Sequence, residues 1–450
     1  MELNSWAGLL LRFFLGTTIT TPIWSKLGEI IGNKKAYMVT SSLFAIGSFL
    51  QGMAPNMVFL IIARIIAGIG SGGMVSLPFI IYADLYKDLN TRTKVLGMAT
   101  ASFSIASIIG PLLGGWLVDS LSWHWIFYIN VPVAFLSIVI VEIFFKEDKV
   151  VNKYATNFDY LGVILMVASL VSLLFSFEMV GDILITYLLI LVILSIILGT
   201  LFFKRERVAE DPIIPIRLFK NRKLVTSFVL FALIWGAFIA FNVYVPMWAQ
   251  RIIGTSAIIG GATQIPSAIT NFFGSESVSY LKSRFKDLSI IRIGIISIMI
   301  SFSFFVLVNK NIGIEWIYVA SLFEGLGLGL CFTVLQVKVQ NDADQRDVPV
   351  ATSFSFLIRT ISQTFTASLF GTLLNHSLKA GTQNSNGHIT MKMMNLLGNL
   401  TAEKSITHVN ILEMRTILYG GLRNVMFLSI IILVVALVVT YLVPKSEKNY

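Results

Sequence analysis

Thirteen stretches of the chain are apolar and almost free of charge, and short polar clusters separate them. They run 6–25, 36–53, 57–82, 95–118, 123–145, 159–177, 183–203, 224–248, 255–278, 288–308, 316–337, 350–374 and 421–443. A bilayer crossing takes about 20 such residues in a helix, so the pattern predicts an all-α polytopic membrane protein with thirteen spans. The clusters are unequal in charge. One set of alternating loops holds Lys26, Lys34 and Lys35, then Lys87, Arg92 and Lys94, then Lys146, Lys149 and Lys153, seven basic residues between Lys204 and Lys223, and further ones out to Lys448. The opposite set holds seven, five of them in or beside the long loop 375–420. Basic loops stay in the cytoplasm, which predicts a cytoplasmic C-terminus and, with an odd count of spans, an outer Met1.

Composition agrees with the pattern. Of the 450 residues 56% are hydrophobic and only 13% charged, and the mean hydropathy is +0.80. The net charge of +10 would suit a nucleic-acid binder, but the basic residues sit in short loops between spans, where topology accounts for them. The lone cysteine, Cys331, excludes an internal disulfide and a cysteine-rich metal site. There is no glycine-rich phosphate loop of the nucleotide-hydrolysing kind. The four histidines lie outside the apolar runs or, for His124, at the very edge of one, without metal-ligand spacing. The chain is therefore not expected to be an enzyme or to hold a metal or cofactor.

A few charges interrupt the spans, and these are the candidate chemistry. Arg64 lies well inside 57–82, followed by Gly68, Gly70, Gly72 and Gly73. A guanidinium at such depth costs at least about 2.5–3.5 kcal/mol on insertion scales, so it is expected either to meet a partner on a transport path or to snorkel outward. The glycines let neighbouring helices approach closely and slide. Glu324 is ninth in the run 316–337, which at about 1.5 Å per residue sets it near the midplane. A carboxyl group there is a candidate proton carrier that attracts a lipophilic cation when ionised; the alternative is a neutral acid donating one hydrogen bond. Arg359 and Arg12 are possible intramembrane charge partners, and Arg359 could equally anchor its helix to carbonyls.

Several segments resemble the major facilitator superfamily. Leu60-Ile61-Ile62-Ala63-Arg64-Ile65-Ile66-Ala67-Gly68-Ile69-Gly70 resembles its fourth-helix motif, and Gly110-Pro111-Leu112-Leu113-Gly114-Gly115 the antiporter motif of its drug exporters. Trp123-His124-Trp125-Ile126-Phe127-Tyr128-Ile129-Asn130-Val131-Pro132 is similar to a helix start in the drug:proton antiporter family with fourteen spans. Ser25-Lys26-Leu27-Gly28-Glu29-Ile30-Ile31-Gly32-Asn33-Lys34-Lys35 resembles the superfamily's loop between helices two and three. There Glu29 takes the aspartate position, while Ser25 and Asn33 replace the usual glycine and arginine. The resemblance implies that Lys26, Glu29, Gly32, Lys34 and Lys35 form a cytoplasmic gate, Glu29 pairing across the domain interface and breaking that pair on opening, with Asp84 and Arg92 in the same network. A purely topological basic loop is the alternative. The family's first helix, which commonly carries an aspartate, has no counterpart ahead of 6–25; the expectation adopted is a start codon assigned too late, the other being a truncated protein.

The resemblance also divides the chain. Residues 1–145 would supply five of six helices of an N-terminal half, 146–203 an inserted helix pair, 204–223 a cytoplasmic linker, and 224–450 the C-terminal half with an outer loop at 375–420. It implies proton-coupled efflux of amphipathic, cationic drugs across a bacterial cytoplasmic membrane by alternating access, with a proton gradient as energy source and Arg64 and Glu324 coupling it. The expected partners are drug-like molecules, protons and membrane lipid, with no nucleic acid, for a chain acting as a monomer. Export of one specific metabolite or antibiotic, or a non-transporting membrane protein, are the alternatives.

Overall fold

A computed structural model describes residues 3–146, 159–179, 184–210, 212–309, 313–385, 388–397 and 408–442. Helices account for all thirteen apolar runs, and no strand occurs among the described residues. In chain order they are α1 (Leu3–Ile31), α2 (Asn33–Gly52), α3 (Met57–Leu85), α4 (Leu89–Ser120), α5 (Trp125–Tyr128), α6 (Asn130–Phe144), α7 (Tyr160–Glu178), α8 (Ile185–Glu206), α9 (Arg217–Lys220), α10 (Arg222–Trp248), α11 (Ala257–Ala262), α12 (Ile265–Lys282), α13 (Asp287–Leu307), α14 (Ile314–Asp342), α15 (Val348–Asn384), α16 (Met391–Leu396) and α17 (His408–Leu442). Among the described residues, eight helical stretches are long and apolar enough to cross a membrane. The ends follow from local chemistry. The side chains of Asn56, Asp88 and Asp159 accept the free N–H groups of Phe59, Thr91 and Gly162 at the starts of α3, α4 and α7.

Two of the predicted spans are not single α-helices, proline giving the reason each time, and a third helix runs on beyond its predicted end. The run 123–145 divides at Ile129, where Pro132 has no N–H for the carbonyl of Tyr128. The run 255–278 divides at Thr263 and Gln264, where Pro266 leaves the carbonyl of Ala262 without its donor. The run 224–248 continues past Pro246 into a π-helical turn, Ala249–Ile253, closed by Gly254 at φ +86°. The stretch expected as an outer loop at 375–420 is largely helical: α15 reaches Asn384 and α17 starts at His408. Hydropathy marks the buried length of a helix, and polar turns beyond the bilayer escape it.

The chain forms two compact units: 1–92, 113–228 and 336–364 make the first, and 93–112, 229–335 and 365–450 the second. The first takes the adjoining ends of α14 and α15 as well as α1, α2 and α3. In this unit α3 is gripped by α1 and α2 along its glycines. A Cβ at Gly72 would lie 2.8 Å from Thr17 O, and one at Gly70 would fall on Phe44 N and lie 2.6 Å from Thr40 O. Trp24 Nε1 donates to Ile69 O at 2.8 Å across the α1–α3 seam. In the second unit α14 is held the same way. Gly325 and Gly329 meet the backbone of α12 at Ser267 and Asn271, while Gly327 meets α13 at Gly294. Small residues let membrane helices approach until their backbones touch.

Candidate functional site

Glu324 is fully buried in the second unit, on α14, directly before Gly325; Gly325 and Gly329 draw α12 against that helix. Its Oε2 accepts a short hydrogen bond from Ser267 Oγ on α12. Its other oxygen, Oε1, has no hydrogen-bond partner among the described residues. A buried carboxyl oxygen left open is costly, because it has given up water for nothing. Such a group is poised to hold a proton or to meet a ligand. Sequence reading gave no hint of Ser267, a serine like many others in these spans.

Arg64 and Arg359 both lie in the first unit. Arg64 is half-buried on α3, its guanidinium 5.6 Å from the centre of the Phe127 ring. Arg359 on α15 is 8% exposed and lies 4.0 Å over Phe356. An aromatic face is a fitting neighbour for a cation deprived of water. The side chains of Arg12, Pro111 and Gly115 lie outside the described residues. Among those described, nothing comes within 4 Å of a Cβ built at Gly110 or Gly114, so the antiporter-like stretch makes no close helix contact at those two positions.

The basic end of the first unit is tied together by polar contacts. Gly32 takes φ +94°, a conformation that favours glycine, and turns α1 into α2. Glu29 pairs with Lys26 at 3.0 Å, one turn back on its own helix. Asn33 donates to Asp84 at 3.1 Å. Lys34 reaches Glu142 at 3.2 Å. Lys35 stands apart, on a shallow groove with Ile30, Ile31, Met38 and Val39. Arg92 donates to Tyr86 O at 2.9 Å and to Asn341 Oδ1 at 3.2 Å, joining the starts of α4 and the end of α14. Gln340 donates to Phe79 O at 3.1 Å, and Phe79 packs on Phe356 with ring centres 5.1 Å apart. Helices of the expected N-terminal and C-terminal halves are thus in direct contact at this end.

Sequence reading missed the linker's part in this network. Arg217 on α9 grips Asp347, between α14 and α15, with a two-pronged pair of hydrogen bonds. That bond, above all, holds the guanidinium's pKa above its ordinary value, and Glu29 adds to the effect from α1. Asn221 donates to Asp342 O at 2.7 Å beside it. Because Arg217 is partly exposed, the pair should contribute only about 1 kcal/mol. Arg217→Lys keeps the charge but not the fork, so it should lose most of what Arg217→Ala loses in thermal unfolding in detergent. A lysine variant as stable as the parent would mean that charge alone suffices.

Residues 2–367 match the Major Facilitator Superfamily, and the chain belongs to that family: it is a multi-pass membrane transporter and not an enzyme. Its relatives include multidrug resistance protein 3 of Bacillus subtilis, 34% identical over 78% of this chain and 69% of that protein. Multidrug efflux pump SdrM of Staphylococcus aureus is 30% identical over 84% of this chain and 82% of its own length. Among solved structures, the human organic anion transporter MFSD10 (TETRAN) superposes with a TM-score of 0.61 over 96% of this chain and 85% of that one, at 13% identity. That likeness is one of fold.

Proposed function

We propose that this transporter exports amphipathic, cationic drugs across the cytoplasmic membrane by alternating access, driven by the entry of protons. The observation that carries the reading is Glu324, buried on α14 with one oxygen on Ser267 and the other without a hydrogen-bond partner among the described residues. A site of this kind can take a proton from one side, release it to the other, and attract a lipophilic cation while ionised. Multidrug relatives in two bacteria support the substrate class. The distribution of Lys and Arg supports a cytoplasmic C-terminus, although residues 443–450 lie outside the described ones. On this orientation the contacts around Lys26, Glu29, Asp84 and Arg92 make a cytoplasmic gate, closed here by Arg92–Asn341 and Gln340–Phe79. Midplane sites between such bundles alternate between the two faces as the bundles rock.

The test is uptake of a cationic dye into inside-out vesicles with an acid interior, with nigericin to collapse the gradient. Gradient-dependent uptake of ethidium and of a second, unrelated cation is expected, with slower uptake of a neutral dye of similar size. Uptake confined to one compound would favour a dedicated exporter. Uptake insensitive to the gradient would overturn proton coupling.

A further inference from the structure

The start of α12 is a helix break, and the break lies one turn before Ser267. Pro266 leaves Ala262 O without its donor, and no backbone N–H among the described residues donates to Thr263 O either. Thr263 is fully buried, so its carbonyl has to be satisfied from elsewhere. The donor is Ser321 on α14, whose Oγ lies 2.8 Å from Thr263 O. The same hydroxyl is 2.7 Å from Ile317 O, but that carbonyl already receives the N–H of Ser321 within α14. Ser321 and Glu324 stand three residues apart on α14, and Thr263 and Ser267 four apart on the chain facing them. The two hydrogen bonds are therefore successive rungs across one seam. A helical serine or threonine ordinarily gives its hydroxyl to a carbonyl three or four residues back, as Thr270 does to Pro266 O at 3.0 Å. For Ser267 the carbonyl four back is Thr263 O. Ser267 donates instead to Glu324 Oε2, and Ser321 serves Thr263 O.

We infer that Ser321 is a positioning residue for Glu324: by satisfying Thr263 O it fixes the start of α12 and leaves the Ser267 hydroxyl to the acid. Without Ser321, Thr263 O is a buried acceptor with no donor, and the hydroxyl that the helix brings to it is that of Ser267. Glu324 then loses the one hydrogen bond it has among the described residues, although Ser321 never touches it. A proton arriving at Glu324 goes onto Oε1, which has no partner among the described residues, and leaves Oε2 as the carbonyl that Ser267 holds. Other charges stand away from this seam. Glu276 on α12 and Glu315 on α14 are more than two turns along their helices from Ser267 and Glu324. On α13, Asp287 pairs with Lys282 and Arg292 donates to Thr440.

This rests on the reading of Glu324 as the proton carrier, and infrared spectroscopy of the full chain in proteoliposomes separates the two. The carboxylic C=O band that appears on acidification and is missing from Glu324→Gln belongs to Glu324. A hydrogen bond to a carbonyl weakens its double bond, so Ser267→Ala should move that band to higher wavenumber. Ser321→Ala should move it the same way, and the double variant no further than Ser267→Ala, because one change acts through the other. Ser297→Ala is the control for a merely loosened α14. It removes a 2.6 Å hydrogen bond from α13 to Phe323 O, next to Glu324, and should leave the band in place. A parental band in Ser321→Ala beside a shifted one in Ser267→Ala would overturn this inference alone. A band unmoved by Ser267→Ala, an equal shift in Ser297→Ala, or additive shifts in the double variant would also overturn it. A chain with no titrating Glu324 band would remove the proton-carrier reading, and this inference with it. If Ser321→Ala fails to accumulate in the membrane, Ser321→Cys, close in size and a weaker donor, decides: a shifted band supports the inference and a parental one overturns it.

Discussion

Replacing Glu324 with glutamine should abolish uphill export while leaving a folded protein that still binds substrate. Glutamine keeps the size of the acid and can still accept from Ser267 Oγ through its carbonyl oxygen, so the α12–α14 seam should survive. What it cannot do is give up a proton. A carrier locked in the equivalent of its protonated form has no means of converting a proton gradient into movement of drug. Cationic substrates should also lose affinity more than neutral ones. At an effective dielectric of about 20, a cation some 4 Å from a carboxylate gains about 4 kcal/mol, which sets a ceiling of roughly a thousandfold on the loss. Glu324→Asp, still an acid but shorter by one methylene, should retain partial transport with an altered pH profile. The decisive measurement is gradient-driven transport in proteoliposomes, with dye binding recorded on the same preparation. Parental rates in Glu324→Gln across the pH range would reduce Glu324 to a packed neutral side chain.

What the sequence disclosed and what it hid divide along a physical line. Properties that act within one helix are written in its composition. The apolar runs gave the helices, and the glycines after Arg64 gave the close face of α3. Arg64, Glu324 and Arg359 were visible because charge in an apolar run stands out against its neighbours. Properties that join distant segments were not visible. Ser267 lies 57 residues from Glu324, and Arg217 lies 130 from Asp347; no local pattern links them. Glu29, which the motif resemblance pairs across the domain interface, also meets Lys26 one turn away on its own helix, and Asn33, a departure from the motif, donates to Asp84; neither contact was legible in the motif.

Glycine substitutions should separate the two glycine-rich segments by sign. At Gly70 the position a Cβ would take is already filled by backbone atoms of α2, Phe44 N and Thr40 O. Backbone cannot rotate aside as a side chain can, so Gly70→Ala must drive α2 and α3 apart. The strain and lost packing should cost about 1–3 kcal/mol or more. Alanine's advantage over glycine in a helix, at most about 1 kcal/mol, does not offset it. At Gly110 the Cβ would meet no atom within 4 Å among the described residues, so only the favourable change remains. Gly110→Ala should leave stability unchanged or raise it by up to about 1 kcal/mol. The larger Gly70→Val should remove most folded protein from the membrane, while Gly110→Val should still insert, its branched side chain costing a few tenths of a kcal/mol. Heating each variant in detergent and measuring the monodisperse fraction by size-exclusion chromatography reads both effects. Equal losses at the two positions would mean that Gly110 also faces a tightly packed neighbour, and a Gly70→Ala protein as stable as the parent would remove the close approach of α2 to α3 as the reason for glycine there.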